Sequence, residues 1–224
     1  MRIGGVDGVP TGWVVCVLTG EGRAREVSWS VVPDAAAVLD VTAGCDAVGV
    51  DIPLALPAGA SRRDAEVLAA ARLGPARSSL FPTPPAPVLA ATSYAEACAA
   101  AQAVTGRKIS LQSWYIVPKI REFQAVALPP TVVEAHPELT FRTMAPRVAF
   151  ASKKTARGAG QRIAALAEWA DPARLLGDLP GAARIDDVLD ALATAWTAQR
   201  VATGTAEFLG PGTDGRGRSM AIAV

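Results

Sequence analysis

The chain has 224 residues, of which 22 are Lys or Arg, 21 are Asp or Glu and 50% are hydrophobic. This apolar content suits one folded domain of ordinary to large size and excludes a disordered chain. The formal net charge of +1 neither indicates nor excludes nucleic acid, because a local basic patch is enough to bind it.

The first half of the chain predicts three strands, a helix and a fourth strand. β-rich runs cover residues 2–7, 12–18 and 25–32, and the short link between the first two is typical of a hairpin. Pro33 and Asp34 begin a predicted helix. Residues 46–52 form an apolar run that reaches Asp51 and stops at Pro53, as in a strand buried on both faces.

The second half predicts mainly helices. They cover residues 61–72, with Ser61 as the N-cap, and residues 93–105, 153–169 and 186–202. Residues 74–90 contain five prolines and are expected to be irregular, and residues 110–123 have a mixed pattern. A fifth strand is predicted over 130–135, and residues 220–224 are a candidate edge strand.

This order of elements predicts an α/β fold of the RNase H-like arrangement. We expect a mixed five-stranded sheet in the order 3-2-1-4-5, flanked by helices, within a single domain over residues 1–224. A helical and irregular insertion at about 61–125 follows the fourth strand. A generic doubly wound fold is the alternative, which the early hairpins make less favoured.

Carboxylates follow the predicted parallel strands. Asp7, Asp51 and Glu134 each come at a strand's carboxyl end, where open α/β sheets build their sites. Neighbouring strands lie about 5 Å apart, so the three carboxylates would converge. Such a cluster is costly unless it is neutralised, and Mg²⁺ or Mn²⁺ prefers oxygen ligands.

The last predicted helix adds two carboxylates. Asp187 and Asp190 lie about 60° apart on the helix, beside an apolar stripe that includes Leu189 and Trp196. Asp7, Asp51, Asp187 and Asp190 are therefore candidate metal ligands and catalytic residues, and Glu134 is a further catalytic candidate. The structural alternatives are a turn residue at a strand end, a helix cap at Asp187 and a loop after Glu134.

Few residues are available for other kinds of site. The single histidine, His136, excludes most zinc sites, and Cys16, Cys45 and Cys98 form neither a CxxC pair nor a disulfide framework. This cysteine usage is typical of a reducing compartment, and no apolar run of about 18 residues occurs. The sequence begins with a predicted strand and not with a signal peptide. We therefore expect a cytoplasmic protein that does not use a membrane.

Seven motifs, in order, are characteristic of one family. They are Gly5–Gly8 with Gly12-Trp13, Val50–Leu54, Arg62–Asp64, Ser78–Pro84, Gln112–Trp114 continuing through Pro118–Glu122, Glu134–Glu138, and Asp186–Ala191. With these motifs the chain resembles the domain of unknown function 429 family, described as predicted RNase H-like nucleases. The resemblance runs from residue 2 to about residue 200.

The fold that this resemblance implies is similar to that of RuvC-type resolvases. In those enzymes an Asp on the first strand, an acid on the fourth and two acids three apart on the last helix hold two metal ions. The residues in the matching places are Asp7, Asp51, Asp187 and Asp190, with Asp51 replacing the more usual Glu. The resemblance thus implies a hydrolase that cleaves phosphodiester bonds by a two-metal mechanism with Mg²⁺ or Mn²⁺.

The predicted insertion is locally basic. Residues 61–125 contain eight Lys or Arg and four Asp or Glu, a local charge of +4. Basic groups beside aromatic rings suit single-stranded or branched nucleic acid. The candidate substrate-binding residues are Arg62, Arg63, Trp114, Lys119 and Arg121. A solvated helical face with a small second core is the structural alternative.

Two rival functions stay open. One is phosphoryl transfer to a small molecule, because Asp7–Gly12 resembles the phosphate loop of the actin and sugar-kinase superfamily. Those enzymes need two such domains, so a homodimer would have to supply the second. The other is a non-catalytic nucleic-acid-binding or regulatory module. The sequence contains no GxxxxGK[ST], GxGxxG or GxSxG motif, so ordinary NTPase, dinucleotide and α/β-hydrolase functions lack support.

Overall fold

In the computed structural model, which describes residues 1–57, 59, 62–181 and 183–224, the chain begins with an antiparallel meander. Strands β1 (Arg2–Val9), β2 (Gly12–Thr19) and β3 (Glu26–Val32) pair in sequence order. A 3-10 turn at Gly22–Ala24 links β2 to β3. Strand β1 is two residues longer than predicted, because its pairing with β2 continues to Val9.

Helix α1 (Ala35–Val41) and strand β4 (Ala47–Val50) follow. Asp34 caps α1 by accepting a hydrogen bond from the Ala37 amide at 2.9 Å, as its position predicts. Strand β4 pairs in parallel with β1.

The chain divides into two compact units. The first contains Met1–Asp51, Leu128–Glu207 and Ala223–Val224, and the second contains Ile52–Ala127 and Phe208–Ile222. The insertion predicted over 61–125 belongs to the second unit. The single-domain description stays a prediction.

Helices build most of the second unit. They are α2 (Asp64–Leu73), α3 (Tyr94–Thr105) and α4 (Leu111–Ala125), with 3-10 helices at Gly74–Ser79 and Ala86–Ala90 in the proline-rich stretch. Ser61, the predicted N-cap, lies outside the described residues. The mixed stretch 110–123 is helical although Pro118 lies within it, and Ser110 caps this helix through the Ser113 amide at 3.0 Å.

Strand β5 (Val132–Glu134) completes the sheet of the first unit. It pairs in parallel with β4, so the order is β3-β2-β1-β4-β5. The predicted sheet order 3-2-1-4-5 and α/β class are confirmed. This is the order of the RNase H-like arrangement.

Four helices follow β5, namely α5 (Pro137–Met144), α6 (Ala156–Ala167), α7 (Pro172–Leu175) and α8 (Ile185–Ala202). The loop alternative after Glu134 is wrong, because His136 caps α5 by accepting from the Leu139 amide, and Pro137 occupies the first helical position. The predicted C-terminal strand is shortened to β7 (Ile222–Ala223), which pairs with β6 (Phe208–Leu209) in a separate sheet.

Helix α8 packs directly on the centre of the sheet. Its apolar side chains form the core of the first unit with the inward side chains of β1 and β2, which include Ile3, Cys16 and Leu18. The Thr194 hydroxyl accepts a hydrogen bond from the Val6 amide at 3.0 Å and so joins the helix to β1. In the described part of the chain, no helix has the length and apolar content needed to cross a membrane.

Two strand glycines allow this contact. A Cβ atom on Gly5 would overlap the carbonyl oxygen of Ala191, and one on Gly49 would overlap that of Thr194. Since both obstacles are backbone atoms of α8, no side-chain rotation could relieve them. Glycine at both positions is therefore a steric requirement of the fold.

We expect Gly5→Ala to lower the free energy of unfolding by about 1–3 kcal/mol or more, because the helix would have to move away from the sheet. Gly4→Ala is the matched control, since its Cβ would meet only the side chains of Thr42 and Val48, at 3.1 and 3.2 Å. Urea denaturation measures both variants. Equal destabilisation by the two substitutions would contradict the steric account.

Candidate functional site

Three carboxylates lie at the carboxyl edge of the parallel strands. The register pairs Val6 with Val50, and Val50 with Glu134. Asp7 and Asp51 are the next residues after Val6 and Val50. The structure therefore places all three acids at one edge of the sheet, with Glu134 one row behind the two aspartates.

Helix α8 adds a fourth carboxylate at this edge. Asp7 lies two residues after Gly5, and Asp51 lies two residues after Gly49. These are the two glycines against which α8 packs. Because side chains alternate along a strand, both aspartates begin on the face that carries α8. Asp190 is 1% exposed and immediately precedes Ala191, the residue over Gly5. The two glycines thus bring Asp190 beside Asp7 and Asp51.

The three aspartates repel one another in a buried environment. Burial, followed by the charges of Asp190 and Asp51, raises the pKa of Asp7 well above its usual value. Burial also raises the pKa of Asp51 to about 7, with Lys153 opposing the shift and Glu134 adding to it. Burial likewise raises the pKa of Asp190 to about 7, although the positive charge of Lys153 acts to lower it. The cluster therefore carries an electrostatic cost that a cation relieves.

Lys153 supplies part of that relief in the free protein. Its ammonium donates to Asp190 Oδ2 and forms an ion pair in which the Asp190 side chain is 2% exposed. Burial alone would lower the pKa of Lys153, but the charges of Asp190, Asp7 and Asp51 raise it above its usual value, so the ammonium stays charged. In the described part of the chain, Asp190 Oδ1 is buried without a hydrogen-bond partner.

Lys153 was not predicted from the sequence to be a site residue, and neither was Glu138, in the first turn of α5. Glu138 forms a largely buried ion pair with Arg162, and its charge contributes to the raised pKa values of Asp51 and Asp190. Glu138 belongs to the motif Glu134–Glu138, but within that motif the sequence indicated only Glu134, because Glu134 ends a predicted strand. For Lys153, no local sequence signal distinguishes it from the adjacent Lys154.

Asp187 caps helix α8 and also contributes to the repulsion within the aspartate cluster. Its Oδ2 accepts from the Arg184 amide at 3.3 Å, which is the helix-capping role that was the structural alternative. Burial raises its pKa, and its charge makes the smallest contribution to the shift at Asp7. Asp187 is therefore at the margin of the cluster, whereas Asp190 is within it.

A basic cavity of about 290 Å³ adjoins the cluster within the same unit. Lys153, Lys154 and Arg184 line it with one carboxylate, that of Asp186, and with Thr155 and Ala156 at the start of α6. Thr155 caps α6 by accepting from the Gly158 amide at 3.1 Å, and the positive end of the helix dipole favours an anion there. Lys153 thus belongs both to the acidic cluster and to a cavity suited to phosphate.

The donors of the cluster fit a hard divalent cation by their chemistry. Asp7, Asp51 and Asp190 offer only oxygen, which Mg²⁺ and Mn²⁺ prefer, and one Asp190 oxygen is unpartnered. Among the residues that the structure describes, however, no three His, Cys, Asp or Glu side chains are arranged to hold one ion. Binding would therefore require the Lys153 ammonium to leave Asp190 and the carboxylates to move closer.

The second unit holds the other candidates, and Arg63 is not free to contact a substrate there. It is 4% exposed, its Nε is 3.1 Å from Glu66 Oε1, and it donates to the Ala55 and Met220 carbonyl oxygens. These contacts favour the structural alternative for Arg63. Arg62 is exposed and lies 3.8 Å from the same carboxylate, so its charge reaches solvent.

Trp114 and Arg121 belong mainly to the small core of this unit. Trp114 packs against a buried cluster that includes Val88 and Val117, and Arg121 lies 5.9 Å from the centre of its ring. Arg121 also donates to the Leu89 carbonyl at 2.8 Å and to that of Ala91. Lys119 is half-buried on α4. The second-core alternative is therefore favoured for Trp114 and Arg121.

The motifs quoted above are matched by an independent comparison. The model of one family, described as Protein of unknown function (DUF429), matches residues 5–214. The chain belongs to this family. No curated protein and no solved structure matches it. The family predicted from the motifs is confirmed, and the family's description assigns no activity to its members.

In EDTA, the buried acids should make the free energy of unfolding fall as the pH rises from about 4 to about 7. Asp51 keeps its proton up to about pH 7 when folded but releases it near 3.8 when unfolded. The folded state then binds more protons, so stability decreases by up to about 1.4 kcal/mol per pH unit for each such proton. Thermal melts at several pH values measure this slope.

Asp51→Asn removes one of these protons at nearly constant volume and should flatten the slope. Asp40→Asn, at an exposed position on α1, is the matched control and should leave the slope unchanged. A slope in Asp51→Asn as steep as in the parent would show that Asp51 is not a protonated buried acid.

Proposed function

We propose that this protein is a divalent-metal-dependent nuclease of the RNase H-like superfamily, which hydrolyses phosphodiester bonds. One observation carries the proposal: a single unit holds a buried aspartate cluster and a basic cavity that share Lys153. An oxygen-rich cluster suits metal ions, and a cavity lined by three cations and one carboxylate keeps an excess of positive charge that suits a phosphate. The sheet order and the strand-end positions of the acids support the same function.

The residues divide into two groups by charge. Asp7, Asp51 and Asp190 would hold Mg²⁺ or Mn²⁺, with Glu134 and Asp187 at the margin. Bound divalent ions activate water as a nucleophile and stabilise the leaving oxygen of an in-line displacement. Lys154 and Arg184 are positioned to bind the phosphate backbone at the start of α6.

Lys153 connects the two groups. In the free protein its ammonium neutralises Asp190, and it also lines the cavity that would take the phosphate. With the aspartates neutralised by a divalent ion, the Lys153 ammonium would be available to contact the phosphate. The basic groups predicted to bind substrate in the second unit are not required for this step.

Cleavage assays test the proposal with single-stranded, duplex, hybrid and branched DNA and RNA, each with Mn²⁺ and with EDTA. We expect metal-dependent cleavage of at least one substrate and its loss, by more than about 100-fold, in Asp7→Asn, because that variant removes a ligand charge at constant volume. Asp40→Asn, an exposed aspartate of the same unit, should retain full activity.

Two results would contradict the nuclease. Cleavage that persists in Asp7→Asn would point to a contaminating enzyme. Hydrolysis of phosphorylated small molecules without cleavage of any polymer would favour the phosphoryl-transfer alternative, and binding of nucleic acid without turnover would favour the non-catalytic module.

A further inference from the structure

The second unit contains a cavity of about 520 Å³ that the nuclease does not use. Its volume lies within the range of roughly 300–1,000 Å³ that is usual for small-molecule sites. Three cationic side chains line it, those of Arg62, Arg107 and Lys108. No carboxylate is among the lining residues that the structure describes.

Two of the cations, Arg107 and Lys108, lie on a loop that hydrogen bonds hold in place. Gly106 ends α3 in the left-handed conformation, and the Thr105 hydroxyl accepts from the Arg107 amide at 3.2 Å. The Ile109 carbonyl accepts from the Tyr94 hydroxyl at 3.0 Å. Arg107 and Lys108 are exposed and form no ion pair within the described chain, so their charges are available to a ligand.

The opposite wall is built around a buried carboxylate. Glu66 is 1% exposed, pairs with Arg63, accepts from the Thr83 amide at 2.9 Å and lies 3.8 Å from Arg62. It therefore positions Arg62 and Thr83 without lining the cavity itself.

Two further features indicate an anionic ligand. Ser110 and Ser113, in the cap and first turn of the 15-residue helix α4, line the cavity, and the positive end of that helix lies there. Thr83 also lines the cavity, is 8% exposed, and its hydroxyl is buried without a hydrogen-bond partner in the described chain. A ligand oxygen would satisfy this donor once the side chain turns to present its hydroxyl to the cavity.

We propose that this cavity binds a small organic phosphate. Arg62, Arg107 and Lys108 bind the phosphate at the start of α4, and Thr83 donates to one of the ligand's oxygens. Pro57, Pro85 and Ile109 also line the cavity, and their apolar side chains suit an organic group attached to the phosphate. A cavity of this limited volume favours a monomer over a polymer backbone.

Calorimetry in EDTA tests the site with defined probes: inorganic phosphate, glucose 6-phosphate, the four ribonucleoside 5′-monophosphates, adenosine and a 5′-phosphorylated oligonucleotide. We expect saturable binding of inorganic phosphate, tighter binding of at least one organic phosphate, and none of adenosine. No phosphate binding at 10 mM, or organic phosphates that all bind no better than inorganic phosphate, would overturn the proposal. So would an oligonucleotide that binds more tightly than every monomer, which would indicate a nucleic-acid surface.

Amino-acid substitutions test whether the phosphate binds in this cavity. Combined Arg107→Ala and Lys108→Ala should weaken phosphate binding at least about tenfold, whereas Arg77→Ala, an exposed arginine of the same unit outside the cavity, should not. Thr83→Val should weaken it without lowering the melting temperature, since the lost hydroxyl has no partner to leave behind. Combined Lys154→Ala and Arg184→Ala should not weaken it, whereas a loss there would place the phosphate in the first-unit cavity and overturn the proposal. Equal losses in Arg77→Ala and the cavity variants would overturn the assignment.

Discussion

The close approach of helix α8 to strands β1 and β4 is the constraint on which the first unit depends. Gly5 and Gly49 leave space for the helix backbone, and the Thr194 hydroxyl joins it to β1. The same approach that completes the core brings Asp190 to the edge where Asp7 and Asp51 follow their strands. The packing of the core and the assembly of the acidic cluster therefore have one cause, and neither could change without the other.

Burying three carboxylates together is unfavourable, and Lys153 moderates the cost. Its ammonium pairs with Asp190, while the pKa values of Asp51 and Asp190 still rise to about 7 because burial dominates. A merely structural cluster would gain nothing from this arrangement, because apolar residues of similar volume would cost less. The proposed cation and phosphate would bind on the two sides of Lys153, and the cation would relieve this repulsion among the carboxylates.

The parts that sequence reasoning anticipated follow from local rules combined with topology. Strand-end acids could be found because parallel strands share an edge, and the order of strands and turns predicted the sheet. Lys153 was missed because its contact with Asp190 spans 37 residues and has no local signature. The burial of Arg63 was not anticipated because a charged residue is usually exposed, and its buried partner Glu66 is known only from the tertiary structure. The family assignment adds no activity, so the proposed function rests on this geometry.

We propose above all that the aspartate cluster is a cation site in which the Lys153 ammonium pairs with Asp190 until a cation binds. Anomalous diffraction from crystals grown with saturating Mn²⁺ tests it most directly, because this measurement locates the ion and the lysine together. The account predicts an anomalous peak bounded by Asp7, Asp51 and Asp190, with the Lys153 ammonium displaced from Asp190. A cluster without any peak, in which Lys153 still contacts Asp190 at saturating Mn²⁺, would contradict it.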